Sequence, residues 1–309
     1  MAAGRETAPT GGDALTDSNA VRCVWPGPAI LGEGPVWRPE ESALYFVDIK
    51  APCVHRYDPA NGATKTYPMP ASIGCLLPRA RGGFIGAFQN GLAFVDLEAG
   101  TVEPIVDPEA DRPGNRFNDG KIDAQGRLFT GSMDNAESEP TGSLYRVDAD
   151  LSWHRLDEGY ICTNGPAFSL DGGTIYHTSS YAREIYAFDL AWDGSLSNKR
   201  THIRLPESDG YPDGMTVDAE DHLWVAHYDG WRVTRFTPDG TVERVIEMPV
   251  AHVTSCAFGG TDLSTLYVTC ATKSLTDEAR AAQPLAGGLF AIDLSRTGLR
   301  GTPQHRFAG

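Results

Sequence analysis

Short apolar runs alternate with polar turns along almost the whole chain, and they recur in a regular pattern. Six three-residue segments with a small central residue each begin or precede such a run, and we call them the triplets. They are Glu33-Gly34-Pro35, Ile73-Gly74-Cys75, Asp119-Gly120-Lys121, Asn164-Gly165-Pro166, Asp213-Gly214-Met215 and Thr254-Ser255-Cys256. Their central residues follow one another at intervals of about 40 to 50 residues, which is the spacing of a structural repeat.

Each triplet is followed by two more runs rich in β-branched and aromatic residues, such as LYFVDI at 44–49 and VHRYDP at 54–59. The stretches between the runs carry turn residues such as Asp-Gly and Pro-Asp-Gly. A repeat of this length with about four short strands is typical of a propeller blade. Six repeats therefore predict an all-β fold, a six-bladed β-propeller. A two-sheet β-sandwich is the main rival, but it would not produce an equal repeat along the whole chain.

The repeats also divide the chain. Residues 1–20 are rich in Ala, Gly, Thr and Asp and are predicted to form a flexible tail, while residues 21–309 form a single propeller domain. A propeller ring must close, and two segments could supply the outermost strand of the last blade. These are VRCVW at 21–25 and QHRFA at 304–308, and we favour the first because no other repeat claims it.

Composition narrows the possible partners. The net charge of −15 argues against nucleic acid and against an anionic membrane surface. No apolar run is long enough to cross a membrane, and the first twenty residues lack the apolar segment of a secretory signal. None of the six cysteines has zinc-site or Cys-x-x-Cys spacing. We therefore expect a cytoplasmic protein with reduced thiols. The sequence carries no signal for its oligomeric state.

The triplets place candidate chemistry on the propeller axis. The first strand of each blade lines the channel, so equivalent positions fall at the same height. The residue before each central residue is Glu33, Ile73, Asp119, Asn164, Asp213 or Thr254. Three acids in one small volume would repel each other unless a cation were bound between them. Oxygen ligands suit Ca²⁺, Mg²⁺ or Mn²⁺. Asp and Asn in turns also bond their own backbone, but the shared position favours a cation.

Other polar residues have two interpretations each. Arg116 and Asn118 directly precede the third triplet and should lie at the channel mouth, where an arginine could bind a hydroxylated substrate or offset the acids. A surface salt bridge is the alternative for Arg116. His177 and His227 are predicted to be core histidines. The chain has no Gly-x-Ser-x-Gly segment, so a serine nucleophile is not supported.

Four motifs in order resemble one known family. LGEGPVW (31–37), NRFNDGKIDAQGRL (115–128), CTNGPAFS (162–169) and YPDGMTVD (211–218) are similar to the SMP-30/gluconolactonase/regucalcin family. The resemblance covers about residues 29–294. CTNGPAFS, GSLSNKR (194–200) and PLAGGLFA (284–291) look especially like bacterial sugar-acid lactonases, including those of the xylonolactonase type. The resemblance implies a six-bladed propeller with one divalent metal ion in its channel.

Carried over by motif, the resemblance assigns roles to individual residues. Glu33, Asn164 and Asp213 would bind the metal, and Asp213 would also act as the general base. Arg116 and Asn118 would bind substrate, with Asp119 expected beside them in support. Some family members place a glutamate shortly after the segment that here reads GSM (131–133), and this chain has Ala136 or Glu137 near that point.

The function that the resemblance implies is metal-dependent hydrolysis of a sugar-acid lactone, an aldonolactone, to the sugar acid. The metal could be Ca²⁺, Mg²⁺, Mn²⁺, Zn²⁺ or Fe²⁺, and the substrate a gluconolactone, xylonolactone, arabinonolactone or galactonolactone. Two alternatives stay open at this stage. One is a phosphotriesterase or arylesterase on the same scaffold, and the other is a calcium-binding propeller that is not an enzyme.

Overall fold

The computed structural model describes residues 21–309, so the predicted tail at 1–20 lies outside the described residues. Within residues 21–309, twenty-four strands form six four-stranded sheets, and neighbouring strands within each sheet are antiparallel. The prediction of a six-bladed propeller is therefore confirmed. Within the described residues, no helix is both long and apolar enough to cross a membrane.

The strands are given blade by blade, from the axis outward. Blade 1 contains β2 (Gly32–Arg38), β3 (Ala43–Asp48), β4 (Cys53–Asp58) and β5 (Ala63–Pro68). Blade 2 contains β6 (Ile73–Pro78), β7 (Phe84–Phe88), β8 (Gly91–Asp96) and β9 (Thr101–Val106). Blade 3 contains β10 (Asn115–Ile122), β11 (Leu128–Asp134), β12 (Gly142–Val147) and β13 (Trp153–Tyr160).

Blade 4 contains β14 (Thr163–Phe168), β15 (Thr174–Ser179), β16 (Glu184–Leu190) and β17 (Leu196–Arg204). Blade 5 contains β18 (Tyr211–Val217), β19 (Leu223–Tyr228), β20 (Arg232–Phe236) and β21 (Val242–Glu247). Blade 6 contains β22 (Val253–Gly259), β23 (Thr265–Cys270), β24 (Leu289–Asp293) and β1 (Val21–Trp25). A short helix, α1 (Asp277–Ala282), lies between β23 and β24, and two 3₁₀ turns occupy Pro39–Glu41 and Glu207–Asp209.

The N-terminal strand closes the ring, as favoured from the sequence. β1 pairs with β24, so blade 6 joins strands from both ends of the propeller. The C-terminal segment has another place: Phe307 forms one parallel bridge to Arg79 and is fully buried. The innermost strands of successive blades contact each other, and β2 contacts β22, which completes the ring in the order 1 to 6.

Apolar side chains fill the space between neighbouring blades. Between blades 1 and 2, Tyr45 and Val47 from β3 pack in one cluster with Ile73 and Phe84. Burial of each such side chain contributes about 1.5–3 kcal/mol relative to full exposure. The outermost strands are mostly exposed, as in β5 at Ala63–Pro68. The stable part of each blade is therefore its inner three strands, which hold the channel in place.

Every innermost strand changes register at its triplet. The interruptions lie between Glu33 and Val36, Ile73 and Cys75, Phe117 and Gly120, Asn164 and Ala167, Pro212 and Met215, and Val253 and Ser255. Bulges of this kind re-aim side chains next to functional sites. They occur here at one height around the axis, so they act on the same six positions that the repeat identified.

The small central residue of a triplet is needed because the strands come close together at the axis. A Cβ added to Gly74 would lie 2.3 Å from the carbonyl oxygen of Asn118. A Cβ added to Gly214 would lie 2.1 Å from Oγ of Ser255. Both contacts are far shorter than real carbon–oxygen contacts. The repeated small residue therefore reflects the packing of innermost strands in adjacent blades.

Candidate functional site

A cavity of 190 Å³ opens at the end of the channel where the innermost strands begin. It contains five of the six residues singled out from the sequence: Glu33, Arg116, Asn118, Asn164 and Asp213. The rest of its wall is Leu31, Met133, Glu137, Cys162, Ser180, Tyr181, Tyr211, Tyr228, Lys273 and Ser274. Asp119 is not among the lining residues.

Larger cavities lie elsewhere in the described part of the chain. One of 380 Å³ is at the opposite end of the channel, where Lys121 and residues 302–305 line it. Another of 610 Å³ lies beside blade 3, around Arg112 and Pro140. Neither contains any of the predicted site residues. We therefore take the smaller cavity as the candidate functional site, because size alone does not supply chemistry.

Two carboxylates, Glu33 and Asp213, face this cavity almost completely buried, with exposed fractions of 4% and 6%. Oε2 of Glu33 accepts the backbone N–H of Gly34 at 3.0 Å. Oδ1 of Asp213 is buried and has no hydrogen-bond partner within the described part of the chain. A buried, unpaired carboxylate oxygen is unfavourable unless a proton or a cation satisfies it.

The protonation of these acids reflects their crowding. Burial, reinforced by the charge of Asp119, raises the pKa of Glu33 to about 8. Burial, reinforced by the charge of Glu33, raises the pKa of Asp213 well above its ordinary value. Without a cation, the site therefore favours the protonated acids. A bound divalent ion reverses this preference, because it stabilises the ionised form of each ligand.

The amide of Asn164 is held in one orientation. Its Oδ1 accepts an N–H from Asn118 at 2.8 Å, and its Nδ2 donates to Oγ of Ser180 at 3.0 Å. An amide oxygen has two lone pairs, so one stays available toward the cavity. The second N–H of Asn118 donates to the carbonyl oxygen of Thr163 at 2.6 Å. Asn118 therefore has no N–H left for a ligand.

Arg116 is a buried cation with unused donors. Its exposed fraction is 2%, and Nη1 donates to the carbonyl oxygen of Phe117 at 3.1 Å and to Oδ1 of Asn118 at 2.5 Å. Its Nε is buried without a partner, and no carboxylate of the described residues lies at ion-pair distance. Burial lowers the pKa of its guanidinium. The salt-bridge interpretation of Arg116 therefore has no support, and its free N–H groups remain for a ligand.

Asp119 lies behind the cavity wall. Its Oδ1 accepts the N–H of Gly120 at 2.7 Å, the local bond that turn aspartates commonly make. Burial raises its pKa to about 6. Both β10 and β18 have a bulge at this position, but Asp213 lines the cavity and Asp119 does not. Asp119 therefore influences the site through its charge on Glu33 and Asp213, without touching the cavity.

The donor set suits a hard divalent cation. In residues 21–309, no three His, Cys, Asp or Glu side chains converge as a metal centre. The predicted ligand set is of another kind, because it combines the carboxylates of Glu33 and Asp213 with the amide of Asn164. Its oxygen chemistry, the unpaired Oδ1 of Asp213 and the raised pKa values all fit a bound cation.

Comparison with known proteins shows the family to which this chain belongs. A family model described as the SMP-30/Gluconolactonase/LRE-like region matches residues 31–272, which include all six triplets. The chain belongs to this family. The resemblance carried by the four sequence motifs is therefore confirmed at the level of the SMP-30/gluconolactonase/LRE-like family.

Three relatives of this family member are similar over nearly their whole length. Regucalcin of Xenopus laevis is 36% identical over 297 residues, covering 94% of this chain and 98% of the relative. The 6-deoxy-6-sulfogluconolactonase of Pseudomonas putida is 35% identical over 293 residues, covering 94% of this chain and 100% of the relative. The crystal structure of a regucalcin from Agrobacterium tumefaciens, described as a calcium-binding protein, has a TM-score of 0.89 at 28% identity. It covers 94% of this chain and 98% of its own.

Several wall residues of this SMP-30-family site were not singled out from the sequence. Glu137 lines the cavity, while Ala136 is exposed, which decides between the two positions considered. Tyr181, Tyr228 and Lys273 are further polar additions. All four lie at or just after the second strand of a blade. An innermost strand begins where its antiparallel neighbour ends, so the position after the second run of each repeat is the signal that would have found them.

His177 and His227 lie outside the cavity wall, and both are completely buried. Nδ1 of His227 lies 2.9 Å from the carbonyl oxygen of Asp209, whereas neither ring nitrogen of His177 has a partner among the described residues. Burial lowers the pKa of His177 to about 3. Both are therefore core histidines, as the sequence predicted.

Proposed function

We propose that this chain hydrolyses a sugar-acid lactone of monosaccharide size, with one divalent cation held by Glu33, Asn164 and Asp213. The observation that carries the proposal is the buried Oδ1 of Asp213, which has no partner within residues 21–309 and faces a small polar cavity beside a second carboxylate and an oriented amide. Arg116 adds free hydrogen-bond donors to the same cavity. This combination fits an oxygen-rich substrate.

One relative supports the lactonase reaction, and another supports the divalent cation. The Pseudomonas putida relative is named as a lactonase that acts on a sulfonated gluconolactone, and the Agrobacterium tumefaciens structure is described as calcium-binding. The cavity volume of 190 Å³ lies below the range of about 300–1,000 Å³ for typical small-molecule sites. A single sugar ring is therefore a better match than an oligosaccharide.

Glu33, Asn164 and Asp213 would hold the divalent cation, which would supply Lewis acidity at the lactone carbonyl and stabilise negative charge on its oxygen. Asp213 accepts a proton from the attacking water as the new carbon–oxygen bond forms. The bond from the carbonyl carbon to the ring oxygen then breaks, and the ring oxygen takes up the proton from Asp213. The product is the open-chain hydroxy acid.

The other residues prepare the site for this step. Asn118 fixes the amide of Asn164, so that its oxygen points consistently toward the cation position. Because both N–H groups of Asn118 are in use, its contact with substrate is limited to the oxygen that Arg116 already approaches. Arg116 binds substrate hydroxyl or carbonyl oxygens with its remaining N–H groups. Asp119 supports the site by the charge it places near Glu33.

The test is a pH-drop assay on gluconolactone, xylonolactone, arabinonolactone and galactonolactone, with an aryl ester and a phosphotriester alongside. Each is measured with Ca²⁺, Mg²⁺, Mn²⁺, Zn²⁺ or Fe²⁺ and again with EDTA. We expect hydrolysis of at least one sugar lactone that EDTA abolishes and metal restores. Turnover of only the phosphotriester or aryl ester would replace the lactonase proposal. Metal binding with no turnover of any substrate would favour a calcium-binding protein that is not an enzyme.

A further inference from the structure

An ion pair crosses the mouth of the channel between two blades that face each other. Lys273, which follows β23 in blade 6, donates from Nζ to Oε1 of Glu137, which follows β11 in blade 3. In a ring of six blades, the third and the sixth lie on opposite sides of the axis. Their side chains can therefore meet only above the channel. We call this pair the mouth bridge.

Neighbouring blades fasten the mouth bridge from the sides. The hydroxyl of Tyr181, in blade 4, donates to Oε2 of Glu137 at 3.0 Å. The hydroxyl of Tyr228, in blade 5, donates to the carbonyl oxygen of Lys273 at 3.0 Å. From blade 1, Nζ of Lys50 donates to Oδ1 of Asn135 at 3.0 Å. Five of the six blades thus contribute to one cover over the cavity.

The cover is built rather than incidental. Glu137 has a φ of 61°, in the left-handed region that a non-glycine residue rarely adopts, so its neighbours must hold it there. Burial opposes ionisation, but the Lys273 ammonium and the Tyr181 hydroxyl keep the pKa of Glu137 below its ordinary value. The side chains of Lys273 and Glu137 are only 24% and 22% exposed, and both also line the cavity. The pair therefore forms the inner surface of the cover.

We propose that Lys273 is a specificity-determining residue: through the mouth bridge to Glu137, it closes the cavity over one sugar ring and excludes larger substrates. The inference rests on the proposed lactonase function. Beyond the bridge, Lys273 keeps two N–H donors and Glu137 keeps acceptor lone pairs, which together match the hydroxyl groups at the outer side of a bound ring. A second sugar or an aryl group would occupy the position of the bridge and would have to separate the two charges.

The first test compares substrates of different size on metal-loaded enzyme. The variants are Lys273→Met and Glu137→Gln, and the matched control is Lys65→Met, which breaks the lysine–glutamate pair to Glu98 on the exposed side of blades 1 and 2. We expect the ratio of kcat/KM for a monosaccharide lactone to that for a disaccharide lactone to fall about tenfold in both bridge variants. The main change should be in KM, and the control should keep the wild-type ratio. An unchanged ratio in the bridge variants overturns the proposal.

The second test needs no turnover, because Cys162 lies in the cavity wall beneath the mouth bridge. Its labelling by methyl methanethiosulfonate is followed by peptide mass spectrometry. We expect labelling about two- to fivefold faster in Lys273→Met and Glu137→Gln than in the wild type, the effect of losing a pair worth up to about 1 kcal/mol. Lys65→Met should label at the wild-type rate. Equal rates in all four proteins overturn the closure.

The two tests separate the failures. A wild-type enzyme that hydrolyses no lactone refutes the proposed function, while the labelling rates still decide whether the bridge closes the cavity. Faster labelling without a changed substrate ratio overturns the role in specificity. Thermal unfolding shows whether each variant is folded. If Lys273→Met does not fold, the outcome is taken from Glu137→Gln, which keeps the shape of the side chain.

Discussion

The side-chain N–H of Asn118 in blade 3 donates to Oδ1 of Asn164 in blade 4 over 2.8 Å. This bond joins two innermost strands at the height of the cavity. Of the three proposed ligands, only Asn164 could turn its metal-binding oxygen away by an amide flip. The bond from Asn118 therefore matters most for this ligand. Hydrogen bonds of this kind set the orientation of metal ligands and tune their affinity.

The first prediction follows from that bond. Asn118→Leu, which keeps the volume and removes the donors, should weaken divalent-metal binding by about 10–100-fold. Calorimetric titration of the metal measures this, with Asn61→Leu at an exposed turn of blade 1 as the control. If metal affinity stayed at the wild-type value while KM rose, Asn118 would instead act directly on the substrate.

A second prediction separates two aspartates at equivalent positions of the repeat. Asp213→Asn should lower kcat by about 100-fold or more, because the general base is lost, and should also weaken metal binding. Asp119→Asn should keep kcat within about tenfold of the wild type, since its carboxylate is outside the cavity and the amide still accepts the Gly120 N–H. Equal losses in the two variants would place Asp119 in the reaction itself.

The ring of six blades and the central residues of the cavity could be predicted from the sequence for one physical reason. The turn residues and strand patterns of a blade are local, so the period could be read directly, and equivalent positions then had to meet on the axis. Glu33, Asn164 and Asp213 came together for that reason, and so did the neighbouring Arg116. The direction in which each side chain points is not local. Asp119 occupies the same repeat position as Asp213 but does not line the cavity, and its Oδ1 accepts the N–H of Gly120.

The mouth of the cavity could be predicted less well. Glu137 and Lys273 are 136 residues apart and lie in connections whose lengths differ from blade to blade. The connection from β23 to β24 even contains α1, which no other blade has among the described residues. Both residues follow the second strand of their blade, but because these connections differ in length, only the closed ring shows that the two side chains face each other.

The third prediction concerns how much a bound cation stabilises the folded chain. A divalent cation that binds the folded chain should raise Tm, by about 5 °C at one hundred times its Kd, because it relieves the burial of unpaired carboxylates. Differential scanning fluorimetry across Ca²⁺, Mg²⁺, Mn²⁺, Zn²⁺ and Fe²⁺, with EDTA reversal, measures the shift. Glu33→Gln should lose most of it. A shift of the same size in that variant would show that the cation binds elsewhere.

The fourth prediction uses His177, which is buried and has no partner at either ring nitrogen in the part of the chain that the structure describes. Its pKa of about 3 in the folded chain lies below the ordinary value of 6.5, so between these values the unfolded chain binds a proton that the folded chain does not. The free energy of unfolding should therefore fall as pH drops below 6.5, by up to about 1.4 kcal/mol per pH unit. Above pH 6.5, His177 should add no pH dependence to the free energy of unfolding. Urea unfolding at pH 7.5 and pH 5 measures the effect. His177→Leu should be about 2 kcal/mol less sensitive to this change of pH than the wild type, whereas the exposed control His154→Leu should lose stability as the wild type does. A pH dependence that His177→Leu leaves unaltered would mean that His177 is protonated in the folded chain.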